Sequence, residues 1–383
     1  MINLLKYLSI IFFIFSNSVY ASPKINVKTA ILIDYHTATV LFEEQPDISI
    51  YPASMTKIMT LMIAFDLLKA DKISLDDKIK ISEKAWRMSQ AGYSSMFIMI
   101  NDEISVENLL LGISVASGND ACVALAEGIA GSEEKFVTLM NEKAEEIGMI
   151  NTQFANSSGI NNPDNNSTVR DIALMSKYLI KNYPNYYHYF AEQEFTWDRT
   201  GGDSITQTNR NLLIFKNLGV DGIKTGHLAV EGYSLASTIK KDTRRLIAVG
   251  SGFKSIASRS KQSLRLLNWG LRNSATFEIS KKNETVFEFK TWLGKKKFVK
   301  GYTNQDVYFT IDKKNLKNFN IFLEYSGPIV APIKKNKKIA LIKIYNKEDL
   351  LETVPIYSGE DVKKVNFLTS LLTSINYMIW GDA

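Results

Sequence analysis

The alternation of hydrophobic and polar positions changes period several times along the 383-residue chain, and each change marks an element. Thr29–Asp34 and Ala38–Phe42 are strand-like runs about a Tyr35-His36-Thr37 turn, which predicts a hairpin. After Pro52 the apolar positions recur every three or four residues, at Ile58, Met62, Phe65 and Leu68. The same spacing returns at Leu109, Ile113 and Val123, and at Phe136, Leu139, Met140 and Ile147, so helices are predicted there. Ser132 is placed to cap the last of these and Gly148 to end it. Tyr233–Ile239 and Arg245–Val249 flank Lys241-Asp242-Thr243 as a second hairpin. Beyond Trp269-Gly270 the pattern shortens. From about Lys282 to Ser358, runs such as Thr285-Val286-Phe287-Glu288-Phe289 and Ile339-Ala340-Leu341-Ile342 alternate with Lys, Asn, Gly and Asp, which predicts a separate small β domain. Last, Val362, Val365, Leu368, Leu372, Ile375 and Ile379 recur at helical spacing with Ser, Thr and Asn opposite, an amphipathic helix ending near Trp380.

At the N-terminus, Lys6 precedes a mostly apolar stretch from Tyr7 to Phe15, then Ser16-Asn17-Ser18 and Val19-Tyr20-Ala21. This is the shape of a secretory signal cleaved after Ala21, since the apolar part falls short of the roughly 20 residues of a membrane span. An uncleaved anchor is the alternative.

Composition narrows the class. With 45% hydrophobic and 22% charged residues the chain is an ordinary folded protein, long enough for two or three domains. Its one cysteine, Cys122, excludes an internal disulfide or a Cys-cluster metal site and reads as a small core residue. His36, His188 and His227 show no metal-ligand spacing, so no metal is expected. The formal charge of +6 is dispersed and does not point to nucleic acid. The short runs Lys295-Lys296-Lys297 and Lys334-Lys335-Asn336-Lys337-Lys338 read as solvated turns. Gly250-Ser251-Gly252-Phe253-Lys254-Ser255 faintly echoes a dinucleotide loop but reads as a strand-to-helix bend, and no cofactor is expected.

Three short motifs carry the candidate chemistry. In Ser54-Met55-Thr56-Lys57, opening the helix after Pro52, a spacing of three sets Lys57 one turn beyond Ser54 on the same face. A serine hydroxyl needs a neighbouring base, and a lysine with a depressed pKa can be one. Ser117-Gly118-Asn119 precedes an apolar helix, and Lys224-Thr225-Gly226 precedes a strand. Each alone also reads as a cap or turn. The ordered set Ser-x-x-Lys, Ser-x-Asn, Lys-Thr-Gly in an exported chain is the signature of serine enzymes that bind penicillin.

On these motifs, together with Ile33-Asp34-Tyr35, Asn209-Arg210-Asn211, Val220-Asp221-Gly222-Ile223 and Leu266-Leu267-Asn268-Trp269-Gly270, the chain resembles a serine-type D-alanyl-D-alanine carboxypeptidase, a low-molecular-mass penicillin-binding protein. The resemblance covers about residues 25 to 270 strongly and the tail in layout. It implies an α+β fold of the β-lactamase/transpeptidase type, a helical subdomain against an antiparallel sheet with flanking helices, followed by a small all-β domain and a C-terminal amphipathic helix. The expected partition is a signal peptide at 1–21, the catalytic domain at 22–275, the β domain at 276–360 and the helix at 361–383.

The resemblance further implies that Ser54 attacks the carbonyl between the terminal D-alanines of a peptidoglycan stem peptide, with Lys57 as base. Ser117 and Asn119 would relay the proton and hold the substrate backbone. Lys224 and Thr225 would receive the substrate carboxylate beside Gly226, with Arg259 in support. The main-chain amides of Ser54 and His227 would form the oxyanion hole. A role for His227 as base of a Ser-His-Asp triad is the lesser reading. β-Lactams would act as covalent inhibitors. The enzyme would be periplasmic, its last helix lying on the outer face of the inner membrane or docking on a protein. That helix has no Lys or Arg after Lys363-Lys364, so its attraction to lipid would come mostly from apolar burial. A DD-endopeptidase uses the same residues. A β-lactamase is disfavoured because no Glu-x-x-Leu-Asn lies between the second and third motifs, and intact motifs argue against a non-catalytic peptidoglycan-binding protein.

Overall fold

The computed structural model describes residues 22–381, so the expected signal segment lies outside the described residues. Strands β1 (Thr29–Asp34) and β2 (Val40–Glu44) form the first hairpin, whose turn is held by Asp34 accepting the main-chain N–H of His36 at 3.0 Å. A single 3-10 turn, Ala53–Thr56, leads into helix α1 (Lys57–Lys69). The apolar spacing there predicts one buried stripe, but Ile58 through Phe65 are buried on every side. Helix α1 threads the helical layer and packs against neighbours all round, which only an apolar surface on all faces can satisfy.

The rest of the helical part follows in order: the short strand β3 (Lys78–Lys80), α2 (Glu83–Gln90), β4 (Glu103–Ser105) paired with β3, α3 (Val106–Leu111), and then α4 (Asn119–Ala130), α5 (Glu133–Ile147) and α6 (Val169–Asn182), the three helices that pack directly on α1. Ser132 caps α5 by accepting the N–H of Lys135, and Gly148 ends it in the left-handed region at φ +87°. Leu139, expected on the buried face of that helix, is exposed, while Phe136 and Met140 are buried.

A small hairpin of β5 (Glu194–Trp197) and β6 (Ile205–Thr208) precedes three long strands, β7 (Val220–Leu228), β8 (Gly232–Lys241) and β9 (Arg244–Phe253), and helix α7 (Ile256–Asn273). The central sheet is antiparallel in the order β2-β1-β9-β8-β7. Its period of two serves two cores at once. Ile31, Ile33, Ile247 and Val249 face the helical layer, while Ala30, Leu32, Leu246 and Ala248 face Leu266 and Leu267 of α7. The chain therefore has the expected α+β layering, with helices on both sides of the sheet.

Strand β10 (Ser274–Ser280) continues directly from α7. It is followed by β11 (Thr285–Trp292), β12 (Phe298–Tyr302), β13 (Val307–Asp312), which pairs with β10, then β14 (Phe319–Glu324), β15 (Ile329–Val330), β16 (Lys338–Asn346) and β17 (Asp349–Ser358). Six of these strands form a second sheet, in the order β14-β16-β17-β12-β11-β15, over a separate core that includes Phe289, Val299, Ile344 and Ile356. The two parts meet at Asp34. Its buried carboxylate accepts from Arg244 Nε at 3.2 Å and from Thr276 Oγ1 at 2.5 Å, and beside it His36 stacks on Tyr308 with ring centroids 4.2 Å apart.

The last element is α8 (Phe367–Trp380), capped by Asn366 accepting the N–H of Thr369. At 14 residues it spans about 21 Å, too short for the roughly 30 Å hydrocarbon core of a bilayer. No described helix is long and apolar enough to cross a membrane.

Candidate active site

Three segments distant in sequence meet in a cleft of about 540 Å³ between the helical layer and strand β7. Ser54 lies in the 3-10 turn before α1, and the tighter winding brings Lys57 Nζ to 3.1 Å from Ser54 Oγ. Residues Gly112–Ala116 form a π-helical turn, and Ser117, which follows, adopts the left-handed conformation at φ +60°. A non-glycine residue held there is strained, and the strain goes with a side chain that lines the cleft. Strand β7 supplies Lys224, Thr225 and Gly226. A Cβ on Gly226 would lie 2.4 Å from Ser234 Oγ and 3.1 Å from both Ala53 Cβ and the Pro52 oxygen, so glycine is what lets this strand run beside the turn that carries Ser54.

Lys57 is wholly buried, and burial pushes its ammonium pKa down to about 8. Its Nζ has three oxygen neighbours: Asn119 Oδ1 at 2.6 Å, the Ser158 main-chain oxygen at 2.6 Å and Ser54 Oγ at 3.1 Å. The two carbonyl oxygens only accept. In the neutral amine they take its two hydrogens, and the remaining lone pair faces the hydroxyl of Ser54. The group has the geometry and the proton affinity of a general base working near neutral pH.

Lys224 is also buried, and burial together with the positive charges of Lys57 and Arg210 drives its pKa well down. Its Nζ donates to Ser117 Oγ at 3.0 Å, leaving the hydroxyl proton of Ser117 free to be passed on. Thr225 and Arg259 also line the cleft, and Arg259 Nη2 donates to the main-chain oxygen of Arg210 at 2.9 Å. Burial lowers the Arg259 pKa to about 10. Its Nε is buried with no partner among the described residues. A buried guanidinium N–H without an acceptor, in a cleft that a threonine also lines, is suited to a carboxylate.

The structure thus gathers Ser54, Lys57, Ser117, Asn119, Lys224, Thr225, Gly226, His227 and Arg259 at one cleft. The ring of His227 is not hydrogen-bonded to Ser54 among the described residues and stacks on Tyr233, with centroids 4.2 Å apart. Cys122 is fully buried on α4, and burial raises its thiol pKa to about 12. Of the glycine-containing run, Gly250 to Phe253 are the last residues of strand β9, and only Lys254-Ser255 form the bend into α7, with Ser255 as its cap.

Several residues of the site carry no motif. Ser158 supplies the oxygen on Lys57, and its loop is fixed from three sides. Asn156 Oδ1 accepts the N–H of Gly159 at 2.7 Å, Glu133 accepts the N–H and hydroxyl of Ser157, and Thr60 donates to the Ser157 oxygen. The Asn156-Ser157-Ser158-Gly159 run reads in sequence as an ordinary turn. Arg210 lines the cleft, in the Asn-Arg-Asn run to which the sequence assigned no role. Asp120, fully buried, gathers Ser95 Oγ at 2.6 Å and the N–H groups of Met96 and Phe97 at 2.9 Å, holding the loop that brings Ser94 to the cleft.

Comparison with known proteins gives this geometry a context. Residues 16–254 match the family described as D-alanyl-D-alanine carboxypeptidase, and residues 275–364 match the C-terminal domain of penicillin-binding protein 5. The chain is 36% identical over 366 residues to D-alanyl-D-alanine carboxypeptidase DacC of Escherichia coli, covering 93% of this chain and 90% of the relative. It superposes on penicillin-binding protein 5 of Haemophilus influenzae with a TM-score of 0.80 at 33% identity, over 90% of this chain and 99% of that one. The match to the D-alanyl-D-alanine endopeptidase of E. coli, 31% identical, spans only 56% of this chain and 67% of the relative.

Proposed function

The chain belongs to the D-alanyl-D-alanine carboxypeptidase family and is a serine-type enzyme of that activity, and from this premise we propose that Ser54 is the nucleophile and Lys57 its general base. The observation that carries the assignment is the pair of carbonyl oxygens on Lys57 Nζ, which aim its lone pair at Ser54 Oγ. Ser54 Oγ attacks the carbonyl carbon of the penultimate D-alanine as Lys57 Nζ takes its proton. The C–N bond breaks, the proton passes through Ser117 Oγ to the leaving amine, and terminal D-alanine departs. Water then attacks the ester carbonyl as Lys57 takes its proton, the C–O bond to Ser54 breaks, Lys57 returns the proton to Ser54 Oγ, and the shortened stem peptide is released as its acid.

The main-chain N–H groups of Ser54 and His227 serve the oxyanion. Asn119 holds the substrate backbone as well as Lys57. Thr225 and Arg259 receive the terminal carboxylate beside Gly226, and Lys224 supplies positive potential. The substrate is a peptidoglycan stem peptide, and β-lactams acylate the same serine because their strained amide stands in for the scissile bond. The alternative of a cross-link endopeptidase is not favoured.

Residues 22–275 act as the catalytic domain, 276–360 as the β domain and 361–383 as the anchoring segment, whose helix is Phe367–Trp380. Export by residues 1–21 places the enzyme in the periplasm, with α8 lying on the outer face of the inner membrane. In support, Phe367, Leu368, Leu372, Met378 and Ile379 of α8 are all exposed. The deciding experiment is intact-mass measurement of residues 22–383 treated with penicillin. One added penicillin on the parent protein and none on Ser54→Ala is expected. An unmodified parent protein, or a Ser54→Ala protein that still gains the mass, would overturn the assignment.

A further inference from the structure

Helix α8 is amphipathic in the reverse sense to a packed helix. Its polar side faces the protein, where Tyr377 meets Trp292 edge-on with ring centroids 5.0 Å apart and Ser370, Thr373 and Ser374 are half-buried. Its apolar side, from Phe367 through Leu368, Leu372 and Met378, points away from the body. An apolar face turned outward gains nothing from the fold that carries it, and nothing among the described residues covers it.

The β domain indicates the chemistry of that cover. Residues 274–366 contain 18 lysines, no arginine and 11 acidic residues. The two lysine runs, 38 residues apart when counted from Lys296 to Lys334, read in sequence as unrelated solvated turns. Folding brings them to one place. The N–H of Lys295 donates to the oxygen of Lys363 at 2.8 Å, Gly294 is bridged to Lys364, and the N–H of Val365 donates to the oxygen of Leu293 at 2.9 Å. On the other side, Ile333 exchanges main-chain hydrogen bonds with Val362, and the N–H of Lys335 donates to the Asp361 carboxylate at 2.8 Å. Lys295–Lys297, Lys334–Lys338 and Lys363–Lys364 therefore form one exposed collar around the root of α8. Among the described residues, Lys296 alone in this collar has its ammonium paired with a carboxylate, that of Glu360.

We infer that this collar is a second membrane contact, which binds the phosphate headgroups of an anionic bilayer while α8 lies among the acyl chains. The inference rests on the reading of α8 as the anchor and adds to it a charge that the helix itself lacks. Lysine suits the task as a strongly hydrated point charge that neutralises phosphate without a fixed geometry. Basic residues held at the surface of an anionic leaflet each add to binding, and the attraction fades within a Debye length, about 10 Å at 0.1 M salt. Membrane attachment is then governed by lipid charge and ionic strength, which apolar burial alone would not confer.

The test is co-sedimentation of full-length protein with two kinds of vesicle, phosphatidylethanolamine containing phosphatidylglycerol, and pure phosphatidylcholine. Binding to the anionic vesicles should be tighter by roughly tenfold or more at 0.1 M salt, and should fall to the phosphatidylcholine level at 1 M salt. The variant Lys295→Gln/Lys297→Gln/Lys334→Gln/Lys335→Gln should lose that preference yet keep the weaker binding and full acylation of Ser54. Equal binding of the parent protein to both vesicles, unaffected by salt, would overturn the collar and leave the helix as anchor. Absence of binding to either vesicle would overturn both readings. Displacement from anionic vesicles by millimolar inorganic phosphate at constant ionic strength would show a discrete small-anion site and also overturn the collar. In Leu372→Asp/Ile375→Asp, residual salt-sensitive binding to anionic vesicles alone is expected, since the collar remains.

Discussion

Lys57 Nζ lies 2.6 Å from the main-chain oxygen of Ser158, a contact between the catalytic helix and a loop 101 residues further on. The Lys57 amine is oriented by this oxygen and by Asn119 Oδ1, so the direction of the proposed base is set by the loop as much as by the motif that contains it. A second consequence concerns protonation. A lysine with a pKa near 8 is protonated below that value and cannot act as base there.

The acylation rate of Ser54 should therefore rise with pH and level off above about pH 8, since the active form is the deprotonated amine. Lys57→Ala should lower acylation by roughly 10² to 10⁴-fold and abolish that limb, whereas His227→Ala should retain it. Stopped-flow acylation with a chromogenic β-lactam, on variants shown to be folded, checks both. A dead His227→Ala enzyme beside an active Lys57→Ala enzyme would reverse the assignment.

Gly159 stands at φ +76°, and a Cβ there would sit 1.9 Å from the Ala53 oxygen. Gly159→Ala must push either the Ser54 turn or the Ser158 loop aside. We expect a stability loss of about 2 kcal/mol by urea unfolding. Acylation should fall further than the unfolded fraction explains, because the Ser158 oxygen leaves Lys57.

If Arg259 receives the terminal carboxylate as proposed, Arg259→Ala should raise KM for a stem peptide far more than it lowers kcat, since that charge is the same in the bound substrate and in the transition state. The cleanest readout is the ratio of kcat/KM for peptides ending in D-alanine and in D-alaninamide. That preference should shrink in the variant. An unchanged ratio would place the carboxylate elsewhere.

Asp34→Ala removes the buried acceptor shared by Arg244 and Thr276 at the junction of the two parts of the molecule. Breaking one side of a buried ion pair costs about 3 kcal/mol or more, because Arg244 is left without its counter-charge. Differential scanning calorimetry should show a lower Tm, and the β domain and the catalytic part should separate into two transitions. A single unchanged transition would show that the junction does not couple them.

The geometry of the site was legible where it is local. Ser54 and Lys57 lie one turn apart, so the motif itself encodes their meeting, and the hairpin of β8 and β9 is announced by its turn. The helical run after Pro52 was legible as helix but not as a helix buried on all sides, because spacing records one stripe and is blind to how many neighbours surround it. Ser158 contributes a main-chain oxygen, which any residue type supplies, so its identity carries no signal. Arg210, Asp120 and Glu133 act through contacts spanning 22 to 49 positions of chain, and a charged residue alone looks like surface. The lysine collar shows the same limit, since two runs that read as solvated turns become a single charged surface only when β11, β15 and the approach to α8 are folded together.

The cleft keeps Lys57, Lys224, Arg210 and Arg259 close together, and the carboxylate of Asp120 is already occupied by the loop it holds. Burial and mutual repulsion hold both lysines below their ordinary proton affinity, so the empty enzyme is the less comfortable state of the molecule. An arriving carboxylate relieves that repulsion before any bond is broken. A peptide acid that is bound but not cleaved should thus raise the melting temperature more than the matching amide does. It should also restore proton affinity to the lysines, so the pH profile of the complex lies to the alkaline side of that of the free enzyme.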